Sequence, residues 1–139
     1  MKSAYTFLAI CYSAALLLTL TGCKKEEDDC GADKPGDLTL VIKLQHHEHP
    51  VVNLKNYRDT VYVKFNSLEF PGINPFLYNG IYIGDYPGET ITIPNLNCGE
   101  YFIYATGYES VHSYRVSGGI PFSTKQKSGE VTITVPVTE

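Results

Sequence analysis

From Leu38 to the end of the chain, apolar and polar residues alternate in short runs. In the first run Leu38, Leu40, Ile42 and Leu44 share one side, and only Val41 interrupts the polar side. A period of two is typical of a half-buried β-strand. The pattern recurs in six further segments, and we predict strands there: residues 61–65, 81–83, 91–93, 101–105, 113–116 and 131–135.

Turn-forming residues separate these segments. Pairs of Gly, Pro, Asn and Ser stand at 71–72, 79–80, 87–88, 118–119 and 128–129, and Asn97-Cys98-Gly99 separates two further segments. No segment has the apolar spacing of an amphipathic helix. About seven short strands in about 100 residues predict an all-β domain over residues 38–139, built as an antiparallel β-sandwich.

A series of residues at fixed spacing in the middle of the domain makes the fold prediction more specific. It consists of Asp85-Tyr86-Pro87-Gly88, Ile91-Thr92-Ile93, Leu96, Gly99, Tyr101, Ile103, Ala105, Gly107 and Tyr108. The series resembles the transthyretin-like, carboxypeptidase-regulatory-like sandwich, in which two such turns flank a strand and the next strand ends in Gly-Tyr. We expect Leu96 to close the base of the core, Gly99 to permit a tight turn, and Tyr101 and Ile103 to enter the core. Arg58-Asp59-Thr60 replaces the Gly-Ala pair usual in that family.

The first 22 residues have a different composition. Lys2 precedes an almost wholly apolar stretch, residues 4–20, and Leu20-Thr21-Gly22-Cys23 follows. This arrangement resembles the lipobox of bacterial lipoproteins. The resemblance implies a signal peptide over residues 1–22, removal of that peptide, and attachment of lipid such as palmitate to Cys23. The alternative is an uncleaved membrane helix, because the apolar run approaches the roughly 20 residues that a span needs.

Residues 23–37 contain no apolar run and predict a flexible tether. Lys24-Lys25-Glu26-Glu27-Asp28-Asp29 is wholly charged. It is similar to the acid-rich stretch that marks some outer-membrane lipoproteins for export to the cell surface. We therefore expect a lipid anchor in the outer membrane and a surface-exposed domain. A periplasm-facing domain, with the charged stretch as a simple spacer, is the alternative.

Cleavage changes the charge and the cysteine count. Loss of Lys2 leaves ten basic against fifteen acidic residues, a net charge of −5. This charge disfavours nucleic acid as a partner, because binding to phosphates needs a basic patch. Cys11 leaves with the signal peptide, so Cys30 and Cys98 are the disulfide candidates in an oxidising compartment. Two separate free thiols are the alternative.

Three of the four histidines lie between Leu44 and Pro50. If the first strand continues through His49, then His47 and His49 project from one face and His46 from the other. Together with His112 they could ligate copper or zinc through imidazole nitrogen. The alternative is a solvated strand end.

Aromatic residues offer another candidate site. Tyr78, Tyr82 and Tyr86 cluster in the sequence and could stack on a sugar or contact a protein, or could cap the core. Tyr114-Arg115-Val116-Ser117 is faintly similar to the tail of the hydroxyisourate hydrolases, but there a glycine replaces Val116 and the motif closes the chain. The sequence favours a non-enzymatic binding module for protein or glycan. A metal-binding lipoprotein that uses residues 46–49 is the alternative.

The lipid anchor generates the first prediction. Cys23→Ser removes the thiol that accepts the lipid, so the variant should accumulate as an unprocessed precursor without labelled fatty acid. Metabolic labelling of cells that produce the wild type or the variant measures this. Cys11→Ser is the matched control and should label normally; normal labelling of Cys23→Ser would contradict the prediction.

Overall fold

The computed structural model describes residues 30–139, and its regular structure is almost entirely β-strand. Its strands in chain order are β1 Asp37–His46, β2 His49–Pro50, β3 Thr60–Phe65, β4 Gly80–Ile83, β5 Ile91–Leu96, β6 Gly99–Glu109, β7 Tyr114–Thr124 and β8 Ser128–Pro136. A short 3-10 helix covers Pro75–Leu77. The predicted β-sandwich is confirmed, with the two-residue strand β2 added to the seven predicted strands.

The first sheet is built around β1. Strand β5 pairs with it antiparallel, β2 pairs with its last two residues, and β8 pairs with it in parallel from Asp37–Ser128 to Gln45–Pro136. The prediction of purely antiparallel pairing is wrong for β1 and β8. Parallel neighbours need a long crossover connection, and here the connection is the whole of the intervening domain.

The second sheet is antiparallel throughout, in the order β4-β3-β6-β7. Six residue pairs join β3 to β6, from Thr60–Thr106 to Phe65–Tyr101. Eleven pairs join β6 to β7, from Gly99–Thr124 to Glu109–Tyr114. Strand β6 is therefore the centre of this sheet.

The core lies between the two sheets, where the apolar side of each predicted strand meets its counterpart. Side chains that alternate along β1, β3, β5 and β6 are wholly or almost wholly buried. These are Leu38, Leu40, Ile42, Leu44, Val61, Val63, Ile91, Ile93, Leu96, Tyr101, Ile103 and Ala105. The period-two pattern thus identified the inward face correctly, including Leu96, Tyr101 and Ile103.

The apolar residues of strand β4 face away from the core, contrary to what the alternating pattern predicts. Ile81 and Ile83 face outward, with 53% and 62% of their surface exposed, whereas Tyr82 packs against the core. Strand β4 lies at the edge of its sheet and pairs only with β3. The apolar residues of this segment therefore do not contribute to the core.

Strand β7 is longer than predicted, because Gly118 and Gly119 continue the strand and do not form a turn. A Cβ atom at Gly119 would lie 2.8 Å from the ring of Phe102 on β6. Such a distance is too short for two carbon atoms. Gly119 therefore leaves space for the Phe102 ring, and Gly118 leaves space for the backbone of Pro136 and Val137.

Residues 30–36 lie on the domain. Cys30 forms a disulfide with Cys98, and Ala32 is buried in the core. A Cβ atom at Gly99 would lie 2.7 Å from the backbone nitrogen of Ala32. The predicted start of the domain at residue 38 is therefore too late, because the disulfide and Ala32 attach the preceding residues to the turn between β5 and β6.

The predicted signal peptide, Cys23 and the charged stretch 24–29 lie outside the described residues. No helix within residues 30–139 is long and apolar enough to cross a membrane.

The disulfide generates the second prediction. It closes a loop with a sequence separation of 68 residues. In the chain-entropy account, a loop of this size restricts the unfolded chain enough to stabilise the fold by about 4 kcal/mol. The double variant Cys30→Ala/Cys98→Ala should unfold at correspondingly lower denaturant concentration. Reductant should lower the stability of the wild type to that of the variant and leave the variant unchanged; equal stability without reductant would contradict the prediction.

Candidate functional site

Exposed apolar side chains concentrate in one stretch of the chain. Seven of the ten large apolar side chains exposed within residues 30–139 lie between Leu68 and Ile83. Five of them belong to the segment 66–79, which we call the apolar loop: Leu68, Phe70, Ile73, Phe76 and Leu77. Phe76 is the most exposed, at 94%. Single exposed apolar residues are normal on a protein surface, whereas several of them on one short segment indicate a binding site.

Hydrogen bonds hold the apolar loop in a defined conformation. The Asn74 side chain accepts from the backbone N–H of Phe76 and caps the 3-10 helix. The Tyr78 hydroxyl donates to the carbonyl of Gly72 over 2.8 Å. At the end of the loop, the Asn79 side chain accepts from the backbone N–H of Phe65 over 2.9 Å. The exposed apolar side chains are thus presented on an ordered support.

The loop is seated on aromatic rings of the second sheet. Phe70 contacts Phe102 and Tyr104 with ring centroids 5.6 and 5.4 Å apart. Tyr78 lies 5.5 Å from Tyr62 and 6.0 Å from Tyr104 by the same measure. Burial, and secondarily its neighbours Tyr104 and Tyr62, raises the pKa of Tyr78 to about 12. These rings cover the outer face of the sheet at one end.

The other end of that face is open and forms a cleft of about 520 Å³, which we call the tyrosine cleft. Strands β3, β6 and β7 supply its floor, and residues 56–58 form one wall. Tyr57 and Tyr108 stack with ring centroids 4.4 Å apart and planes 15° apart. The volume falls within the roughly 300–1,000 Å³ of small-molecule sites.

Two arginines line the tyrosine cleft, one on its wall and one on its floor. Arg58 follows Tyr57, and Arg115 is the cross-strand partner of Tyr108. The guanidinium of Arg58 donates to the carbonyl of Gly84 over 3.4 Å and lies 3.8 Å from the exposed carboxylate of Asp85. A cleft with stacked rings and guanidinium groups can bind an anionic ligand that has a flat face.

A buried carboxyl lies next to the cleft in sequence. Asp59 is only 1% exposed, and its Oδ1 atom has no hydrogen-bond partner among the described residues. Burial raises the pKa of Asp59 from 3.8 to about 6, and the backbone N–H of Tyr108 partly opposes the rise. The Asn53 side chain accepts from the backbone N–H of Asp59 over 2.9 Å. Asp59 therefore joins the Tyr57–Arg58 segment to β6.

The predicted histidine arrangement is wrong. Strand β1 ends at His46, and His47 and Glu48 form a tight turn with φ of 44° and 68°. Positive φ at both central residues is typical of a two-residue hairpin turn. His49 therefore pairs across the hairpin with His46 and does not follow His47 along the same strand face.

All four histidines nevertheless line one cleft, with Glu109 and Val111. His46 is buried, stacks on His47 with centroids 4.1 Å apart, and shares a 3.2 Å hydrogen bond with Glu139. His112 shares a 2.9 Å hydrogen bond with Glu109. The backbone N–H of Val111, and then that of His112 and its imidazole, lower the pKa of Glu109.

These side chains do not form the predicted three-ligand centre. Among residues 30–139, no group of three or more His, Cys, Asp or Glu side chains is placed to hold a metal ion. His47, His49 and His112 face a common cleft, but they do not converge on one point. The arrangement gives no support to a copper or zinc site.

The three predicted binding tyrosines separate in the structure. Tyr78 belongs to the apolar loop and packs on Tyr62 and Tyr104, Tyr82 packs against the core, and Tyr86 is 51% exposed in the turn before β5. They therefore do not form one binding surface. Sequence reasoning missed Tyr57 and Tyr108, although Tyr108 continues the outward series that begins at Phe102 and repeats every second residue.

Comparisons with protein-family models, with curated proteins and with solved structures found no match.

The buried carboxyl generates the third prediction. Because folding raises the pKa of Asp59 from 3.8 to about 6, the folded state binds the proton more tightly than the unfolded state does. Its contribution to stability is therefore fully present below about pH 4 and is lost as the pH rises through about 6. The loss is at most about 3 kcal/mol, at about 1.4 kcal/mol per tenfold change.

Asp59→Asn should remove this dependence. The variant should be more stable than the wild type at pH 8 and should lose that advantage at pH 4. Chemical unfolding across this range measures the difference. Asp37→Asn, which changes an exposed carboxyl, is the control and should parallel the wild type. A stability difference between Asp59→Asn and the wild type that is constant with pH would contradict the prediction.

Proposed function

We propose that this chain is a non-enzymatic binding module, anchored by lipid on Cys23 at the outer membrane or cell surface, that binds a protein or a glycan. The observation that carries the proposal is the concentration of exposed apolar side chains on the apolar loop, beside the tyrosine cleft. Burying such residues against a partner is favourable by about 25 cal/mol per Å² of apolar surface. The lipid anchor rests on the lipobox-like sequence before Cys23 and the charged stretch after it.

The geometry of the domain supports this assignment. The apolar loop and the tyrosine cleft both lie on the side of the second sheet that faces away from the core. A ligand bound there would not need to disturb the buried interface between the sheets. The disulfide attaches the segment that leads to the anchor at the turn between β5 and β6.

The metal-binding alternative receives no support from the histidine cleft, since its side chains do not converge on a three-ligand centre within residues 30–139.

The fourth prediction tests the binding surface on intact cells. A photo-crosslinking amino acid in place of Phe76 should give a discrete adduct, because this side chain is 94% exposed at the centre of the apolar loop. The same amino acid in place of Lys43, an exposed residue of β1, is the control and should give no such adduct. Gel mobility and mass spectrometry identify the adduct.

A second variant connects the adduct to the apolar surface. Ile73→Ser changes a side chain that is 76% exposed, so it should leave the unfolding temperature unchanged. Because it removes part of the apolar surface, it should reduce the yield of the crosslinked adduct from position 76 several-fold. Equal adduct patterns at positions 76 and 43, or no effect of Ile73→Ser, would contradict the proposed surface.

A further inference from the structure

The two stacked tyrosines provide a flat aromatic surface in the cleft. The planes of Tyr57 and Tyr108 are 15° from parallel, and Tyr57 keeps 48% of its surface exposed. An aromatic face of this kind packs against a flat, weakly polar face of a ligand, and the phenol hydroxyl adds a hydrogen-bonding group at the rim. The C–H face of a sugar ring has this character.

Hydroxyl groups line the floor beside that surface. Thr60, Thr106 and Ser117 stand directly across from one another on β3, β6 and β7. Each hydroxyl can both donate and accept a hydrogen bond. This property matches a ligand that carries several hydroxyl groups of its own.

The backbone of this floor is already used in the sheet. Strand β6 is paired on both sides, with β3 and with β7. Strand β3 is also paired on both sides, and at the edge strand β7 Ser117 exchanges two backbone hydrogen bonds with Thr138. A peptide therefore has no unpaired edge beside Ser117 to which it could add a strand. Recognition in the cleft depends on side chains.

The placement of arginine is selective. The whole sequence has two arginines among eleven basic residues, and both line the tyrosine cleft. Among residues 30–139, no carboxylate forms an ion pair with Arg115, and the contact of Arg58 with Asp85 is long, at 3.8 Å. A guanidinium presents paired N–H donors that match a carboxylate, whereas lysine provides a point charge.

On the basis of the proposed binding function, we propose that the tyrosine cleft binds a carboxylate-bearing sugar unit of a glycan. The ring of the sugar would lie against the Tyr57–Tyr108 stack, its hydroxyls would meet Thr60, Thr106 and Ser117, and its carboxylate would face Arg58 and Arg115. A nucleic acid is disfavoured because the chain is acidic overall.

The fifth prediction tests this ligand class by calorimetric titration of the purified full-length chain. The acidic probes are digalacturonate and N-acetylneuraminate, the matched neutral probe is digalacturonate dimethyl ester, and inorganic phosphate tests for charge alone. At least one acidic sugar should bind saturably and at least about tenfold more tightly than the ester and phosphate, since charge-assisted hydrogen bonds are about twice as strong as neutral ones.

Substitutions separate the contributions of charge and ring. Arg115→Gln should lower the affinity for the acidic sugar about tenfold and leave the affinity for the ester unchanged. Arg115→Lys should restore only part of the lost affinity. Tyr57→Ala should weaken the acidic sugar and the ester together. Lys43→Gln removes a positive charge on the other sheet and is the control, with no expected effect. Raised salt should lower the affinity for the acidic sugar and leave the affinity for the ester unchanged.

Three results would overturn the inference: failure of both acidic sugars to bind, equal affinity for the ester or phosphate, or an unchanged affinity in Arg115→Gln. None of these results tests the binding role proposed for the apolar loop. A discrete adduct at position 76 together with no acidic-sugar binding would leave the binding function standing and remove this ligand. If no adduct forms at position 76 but an acidic sugar binds, the binding site would be limited to the tyrosine cleft.

Discussion

The structure depends on the burial of one face of β1. Its four inward leucine and isoleucine side chains are at most 1% exposed, and the strand is paired along its length with β8 on one side and with β5 and β2 on the other. Complete burial of such a side chain stabilises a fold by about 1.5–3 kcal/mol relative to its exposure in water. The first strand of the domain thus lies in the middle of one sheet with the last strand beside it, and the second sheet packs across their apolar face.

The binding surface follows from the same burial. Because successive residues of a strand point to opposite faces, placing Val61, Val63, Tyr101, Ile103 and Ala105 in the core forces their neighbours outward. Those neighbours on β3 and β6 are mostly aromatic or hydroxyl-bearing, and they form both the support of the apolar loop and the floor of the tyrosine cleft. The packing of the core therefore determines which side chains form the outer face, although these side chains add little to the burial between the sheets.

The mistaken predictions share a physical cause. The metal-site hypothesis required the first strand to continue through His49, but left-handed backbone at His47 and Glu48 reverses the chain, so His46 and His49 become cross-strand partners. Gly118 and Gly119 are typical turn residues, but within a long strand they provide space for the backbone of Pro136 and for the ring of Phe102. In each case a local pattern fits two backbone paths, and contacts with residues distant in sequence select one of them.

The sequence by itself determined the strand class, the position of most strands and the inward face of β1, β3, β5 and β6, because the period of two reflects local backbone geometry and the burial of one face. It also predicted the pairing of Cys30 with Cys98 that the structure contains. Only the tertiary structure decided that β1 and β8 run in parallel and that Tyr57, Arg58, Tyr108 and Arg115 share one cleft. Tyr57 and Arg58 precede Tyr108 and Arg115 by at least 50 positions, and the register between strands, which is a non-local property, brings the two pairs together.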